Sequence, residues 1–174
     1  MHTDGMHREG YIPDYFTLYC VRPAIEGGQL LMVDVEDLLA RLEPHHDILA
    51  TLRGDFFFDT RAADPSLPQA IRRPILEAHR GGTRVQYFRE YIESGQRKSG
   101  AGPLTAQQRQ ALDFVDTVIS NPELQQRLRT DRGEMAFINN TRLIHGRTDF
   151  VDGPEPGGKR LLLRTWIDAS ARAS

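Results

Sequence analysis

Apolar residues fall along this chain mostly in short runs, separated by turn signals, with one longer stretch at helical spacing. Asp14 to Val21 (DYFTLYCV) concentrates aromatic and β-branched types and predicts a strand. Glu26-Gly27-Gly28 makes a turn, and Gln29 to Val35 (QLLMVDV) predicts a second strand. From Val35 the period changes: Leu38, Leu39 and Leu42 predict a short helix with Asp34 as its N-cap. Asp55 to Thr60 (DFFFDT) reads as a strand, and Arg61 to Leu67, with Asp64-Pro65 inside it and Pro68 just after it, reads as a loop. Arg84 to Ile92 predicts a strand, and Ser94 to Gly102 (SGQRKSGAG) a flexible, lid-like loop. Thr105 opens a helix marked by Ala111, Leu112, Val115, Val118 and Ile119, which ends near Asn121-Pro122; Glu123 to Arg129 continues as a second helix. Gly133 to Ile138 and Thr141 to Ile144 frame a strand pair, Asp152 to Gly158 is turn-rich, and Arg160 to Ile167 (RLLLRTWI) closes the chain as an apolar strand.

Short strands with helices at the flanks predict a mainly β fold, a barrel or jelly roll with helical decoration rather than alternating βαβ units. The helical part is an insert at about residues 104–130. The length, 174 residues, suits one domain with one sizeable core, so residues 1–174 read as a single unit.

Composition narrows the function classes. The net charge of -2, with no block of Lys or Arg, gives no footprint for nucleic acid. No apolar stretch reaches membrane-spanning length, and the N-terminus has no apolar leader segment, so a membrane partner is not expected either. Cys20 is the sole cysteine and sits among apolar neighbours, where it reads as a small buried hydrophobe in a reduced, cytoplasmic protein.

The candidate chemistry lies at the two ends. His2-Thr3-Asp4 places two ligand-capable side chains at i and i+2, which an extended segment projects to one face. A third ligand has to come from far along the chain, and His145, in NNTRLIHGR, is the best candidate. Two imidazoles and one carboxylate on one face of an ion leave further positions open. Each piece alone is common by chance. Arg160 and Arg164 share a strand face with Leu162 between them, so two guanidiniums would point the same way.

Taken in order, HTDG, PDYFTLYC, GGQLLMVD, NNTRLIHGRTDF and RLLLRTWID resemble the taurine-dioxygenase-like and clavaminate-synthase-like oxygenases. The resemblance runs from residue 2 to about residue 168, sharp at both ends and loose between Leu42 and Arg132. It implies a double-stranded β-helix (jelly roll) forming one catalytic domain, with Fe(II) held by His2, Asp4 and His145. It also implies 2-oxoglutarate as cosubstrate, O2 as oxidant, and hydroxylation or desaturation of a small substrate. Arg160 matches the arginine that pairs with the distal carboxylate of 2-oxoglutarate, and Arg164 one that in several relatives lies near an acidic group of the substrate. A carboxylate-bearing substrate, an amino acid or natural-product intermediate, is the expectation. The retained Asp4 argues against halogenation. One departure stands out: Gln29 and Leu30 follow the Gly-Gly turn where many relatives supply a threonine hydroxyl.

Other residues carry weaker expectations. Tyr87, Arg89 and Tyr91 would line a substrate cavity from one strand face, or simply pack the barrel. His45-His46 reads as a solvated turn, and His7 and His79 as surface residues. A zinc hydrolase could use the same triad, but nothing marks its general base and Arg160 goes unexplained. The more serious rival is a non-catalytic jelly-roll fragment that binds a metal or small molecule. Relatives carry a substantial segment before their H-x-D, whereas one residue precedes it here, so an N-terminally truncated jelly roll is expected. Its exposed apolar face would then be covered by a homodimer.

Overall fold

The computed structural model describes residues 1–155 and 157–169. The elements run β1 (Tyr15–Arg22), β2 (Glu26–Gly27), β3 (Leu30–Asp34), α1 (Val35–Leu42), α2 (His46–Arg53) and β4 (Asp55–Asp59). Next come β5 (Ala70–Pro74), β6 (Leu76–His79), β7 (Gly82–Val85), α3 (Arg89–Ser99) and α4 (Ala106–Ile119). The chain closes with β8 (Gln126–Leu128), β9 (Met135–Asn139), β10 (Leu143–Arg147), β11 (Phe150–Val151) and β12 (Leu161–Ile167).

Two antiparallel sheets, ordered β12-β1-β9 and β10-β3-β8, form the jelly roll. Alternation along β1 sends Phe16, Leu18 and Cys20 inward, where Phe16 and Leu18 meet Leu30 and Met32 of β3 and Ala136 and Ile138 of β9. A larger core joins α1, α2 and α4 to the β4-β5 and β6-β7 ribbons through Leu38, Leu42, Leu52, Phe56, Phe58, Leu112 and Val115. The helices start where the sequence provides caps. Asp34 accepts from the Glu36 N–H, and Thr105 and Gln108 form a reciprocal capping box. Helix α3 lies on β4 so closely that a Cβ at Gly95 would meet Asp59 N and Phe58 C at 2.5 Å, a contact only glycine permits.

Elements β1, β3, α1, β4, α4, β9 and β12 fall within two residues of their expected bounds, and several other expectations need correction. The strand expected over 84–92 ends at Val85, and α3 begins at Arg89. Helix α3 also takes most of the expected lid, ending at Ser99 before a left-handed Gly100. Its helical signal was weak because Gly95 and Gln96 share its buried face with Ile92 alone. The helix expected over 123–129 is instead the short strand β8, whose backbone completes the edge of β3. Helix α2 was not anticipated, because Pro44-His45-His46 reads locally as a turn. His79 is not a free surface residue: its ring lies 3.8 Å from buried Asp14. The outer side of the β12-β1-β9 sheet leaves Tyr19, Met135, Phe137, Leu161 and Leu163 exposed.

Candidate active site

The site is built where the start of the chain is wedged between two distant segments. On one side His2 donates its N–H to the His145 carbonyl at 2.7 Å, and His145 donates back to the His2 carbonyl at 2.8 Å. On the other, the Thr3 N–H reaches the Tyr87 carbonyl at 2.9 Å, while the Tyr87 N–H donates to Thr3 Oγ1 at 3.0 Å. The expected i, i+2 geometry follows. His2 Nε2 lies 3.5 Å and His145 Nε2 3.6 Å from the same oxygen, Asp4 Oδ1. One ligand atom from each of the three lies within 4.8 Å of the others, and no other such cluster of His, Cys, Asp or Glu occurs among the described residues.

Asp4 is buried and held from several directions. The Asn140 carboxamide accepts from the Asp4 N–H at 2.7 Å and donates to the Asp4 and Pro13 carbonyls at 3.1 and 2.8 Å. Trp166 donates its indole N–H to Asp4 Oδ2 at 2.8 Å, and Arg164 Nη1 approaches both carboxylate oxygens at 3.0 and 3.1 Å. Burial alone would raise the Asp4 pKa, but the flanking imidazoles of His145 and His2 and the Arg164 guanidinium outweigh it. The carboxyl is held well below the usual carboxylate range. Burial pushes the His145 imidazole down, toward the neutral form that ligates a metal. Phe16 packs 4.4 Å from the His145 ring and Phe88 stacks 4.9 Å from the His2 ring, giving the cluster apolar walls.

Both ring nitrogens of His145 are buried without any hydrogen-bond partner. Buried polar atoms are almost always satisfied, so two orphans on one imidazole call for an explanation. A divalent transition-metal ion at Nε2, the nitrogen 3.6 Å from Asp4 Oδ1, accounts for one of them, and two nitrogens and one carboxylate are a suitable donor set. The residues present fit iron.

The remaining expected residues are placed as follows. Arg160, Leu162, Arg164 and Trp166 alternate on the β12 segment, so one face runs from Trp166 and Arg164 at Asp4 to Arg160 roughly 13 Å away. Arg160 is half-buried beside the Gly-Gly turn, where Nη2 donates to the Gly28 carbonyl at 3.3 Å. Burial, together with the nearby Arg147, lowers its pKa. Tyr87 and Arg89 turn away from the triad. The Tyr87 ring is fully buried, with its hydroxyl 2.6 Å from Asp116 Oδ1, and Arg89 is tied to Glu93, Asp113 and Asp116. These contacts fasten α4 to the segment that pairs with Thr3. Reading the sequence missed Asn140, Trp166 and Phe88. Asn140 and Trp166 lie inside recognised motifs, yet neither carboxamide nor indole signals contact with a residue more than 130 positions away, and Phe88 lies in the loosely matching middle of the chain.

Residues 1–166 match the family model described as taurine catabolism dioxygenase TauD, TfdA family. Among curated proteins, FR-33289 synthase of Streptomyces rubellomurinus is 28% identical over 161 residues, covering 90% of this chain and 47% of that protein. The taurine hydroxylase-like protein SAT17 of Stachybotrys chartarum is 29% identical over 167 residues, covering 94% of this chain and 40% of that one. Among solved structures, an asparagine oxygenase in complex with Fe(II), 2S,3S-3-hydroxyasparagine and succinate superposes with a TM-score of 0.73 at 21% identity. That match covers 95% of this chain and 48% of the other. The chain thus spans about half the length of the proteins it resembles, and the fold is theirs.

Proposed function

The chain belongs to the taurine catabolism dioxygenase TauD, TfdA family, and from that premise we propose that it is an Fe(II)- and 2-oxoglutarate-dependent oxygenase of small molecules, with residues 1–174 as one catalytic unit. The observation that carries this reading is the His2, Asp4, His145 cluster, in which a buried imidazole with no hydrogen-bond partner faces the Asp4 carboxylate. When bound, iron with 2-oxoglutarate and O2 supplies the oxidising chemistry, in which decarboxylation to succinate is coupled to oxidation of a substrate C–H bond. The chain's own residues prepare that chemistry. Asp4 stays ionised and is aimed by Asn140, Trp166 and Arg164. Phe16 and Phe88 keep water from the imidazoles. Arg160 is the cation for the distal carboxylate of 2-oxoglutarate, and Arg164 meets an acidic group of the substrate. An amino acid or related natural-product intermediate is the substrate class we favour, with hydroxylation or desaturation as the outcome.

The sole cysteine is buried and free, which suits a reducing, cytoplasmic setting. No helix among the described residues is long and apolar enough to cross a membrane. A second copy is our proposed cover for the exposed apolar face. It borders β9, an edge strand of its sheet, and such edges pair readily with their own kind. Sedimentation that shows only monomers would remove that part. For the main reading, succinate release is measured across a panel of amino acids and acidic metabolites with iron present. Coupled release supports the oxygenase; iron and 2-oxoglutarate binding without turnover on any compound would favour the binding module instead.

A further inference from the structure

Beside the metal cluster the structure holds a second group of cations. Phe88, which stacks on His2, lies two residues beyond Gln86 and four beyond Arg84 on the segment that leaves β7, and Gln86 is itself buried. Two residues of chain span at most about 7 Å, so this segment leads from the edge of the triad to Gln86. At Gln86 it opens into a cavity of about 300 Å³, walled by Tyr11 and its neighbours on one side and by Arg72, Arg73, Glu77 and Arg84 on the other.

The guanidiniums there are unequally compensated. Arg72 pairs with Asp55. Arg84 is 3.6 Å from Asp14, which it shares with Arg80 and His79. Arg73 has only neutral partners: Nη1 donates to Gln86 Oε1 at 2.9 Å and Nη2 to the Arg8 carbonyl at 2.9 Å. Glu77 is the one acid lining the cavity, and it already accepts from Gln86 Nε2 at 3.0 Å. A half-buried guanidinium whose own hydrogen bonds go only to neutral groups, in a concavity lined by three arginines and one glutamate, keeps capacity for an anion. Burial lowers the pKa of both Arg73 and Arg84, against the opposing pull of Glu77 on both, of Glu9 on Arg73 and of Asp14 on Arg84.

The wall also connects to the metal cluster. The Arg8 carbonyl holds Arg73, the Arg8 guanidinium lies 4.7 Å over the Trp166 ring, and Trp166 donates to Asp4. We propose that this cavity is a subsite for an oxyanion of the substrate, a carboxylate or a phosphate, with Arg73 as its main donor and Arg84 as its second. As a statement about substrate, it rests on the oxygenase reading. As a statement about an anion site, it stands alone. It makes the substrate a molecule whose acidic end sits away from the metal ligands, at a cation separate from Arg160 and Arg164.

The test uses the full chain without metal or 2-oxoglutarate, titrated calorimetrically with inorganic phosphate and separately with acetate at low ionic strength. Phosphate should saturate a site whose affinity falls about tenfold or more in Arg73→Gln, as expected for losing a charge-assisted hydrogen bond. Glu77→Gln should tighten it, and Arg160→Gln should leave it in place. The acetate titration tells whether carboxylates are accepted alongside phosphate. No binding of either anion, or affinity unchanged in both Arg73→Gln and Arg84→Gln, overturns the proposal. Should Arg73→Gln not fold, Arg73→Lys keeps the charge without the planar fork and must still weaken binding; unchanged affinity there is equally decisive. The visible band of iron with 2-oxoglutarate, recorded on Arg73→Gln, reports the oxygenase reading independently.

Discussion

Replacing Asn140 by alanine attacks the metal site without touching a ligand. The carboxamide is buried, and all three of its hydrogen bonds go to buried backbone groups: the Asp4 N–H, the Asp4 carbonyl and the Pro13 carbonyl. Its own backbone bond, from the Asn140 N–H to the Asp14 carbonyl at 2.8 Å, survives the substitution. Each lost bond contributes about 1 kcal/mol net, and groups left unsatisfied cost more, so a loss of about 3 kcal/mol is expected. Against a total stability of roughly 5–15 kcal/mol, that is a large fraction. Because Asp4 loses the clamp on both of its backbone polar groups, iron affinity should fall by roughly 10- to 100-fold, as for supporting residues of metal sites generally. Asn140→Asp keeps the acceptor for the Asp4 N–H but removes both donors and sets a carboxylate against two carbonyls, so it should not rescue. Urea unfolding of the metal-free protein and anaerobic iron titration measure the two effects. A stability loss below about 1 kcal/mol with unchanged iron affinity would refute the clamp.

Three further outcomes follow from other parts of the molecule. Arg160→Ala should raise the 2-oxoglutarate requirement sharply, with a loss on the order of 2–5 kcal/mol in apparent affinity, whereas Arg164→Ala, which also removes a contact to Asp4, should weaken the prime substrate and iron together; reversed phenotypes in initial-rate kinetics would contradict the assignment. Asp59, fully buried on β4, is raised by burial but lowered further by Ser94, Lys98 and the Arg61 N–H, so its folded pKa lies below the ordinary value. Its stabilisation is therefore fully present above about pH 3.9 and is lost as pH falls below it; Asp59→Asn should cost about 2 kcal/mol at neutral pH and flatten that acid limb in urea titrations. Leu42→Ala, in the fully buried face of α1, should cost about 2–5 kcal/mol by thermal or chemical unfolding, and a loss under 1 kcal/mol would mean the helix is not packed as described.

The sheets of the jelly roll were legible because their strands carry period-2 apolar faces and turn residues at their ends. Tyr15 to Arg22 and Leu161 to Ile167 alternate in opposite senses and pair in register from Tyr15 with Ile167 to Cys20 with Leu162. The triad was legible from residue type and motif order, since only ligand-capable side chains were in play. Around Arg84 to Ser99 local pattern failed, because the buried face of α3 is made by glycine and glutamine rather than by apolar residues. For Tyr87 and Arg89 the packing alternative holds: once the strand stops at Val85, their side chains face α4. Asn140 and Trp166 were hidden because their roles depend on contacts with Asp4 that no local spacing encodes.

Anaerobic titration of the protein with iron(II) and 2-oxoglutarate tests the central claim most directly. A chelated ferrous site gives a weak visible charge-transfer band, and its growth should reach a plateau at one iron per chain. In His145→Ala, which removes the buried imidazole that has no hydrogen-bond partner, the band should be absent while the fold persists. A band of unchanged intensity in that variant, or none in the wild-type protein, would contradict the assignment of His2, Asp4 and His145 as the iron site.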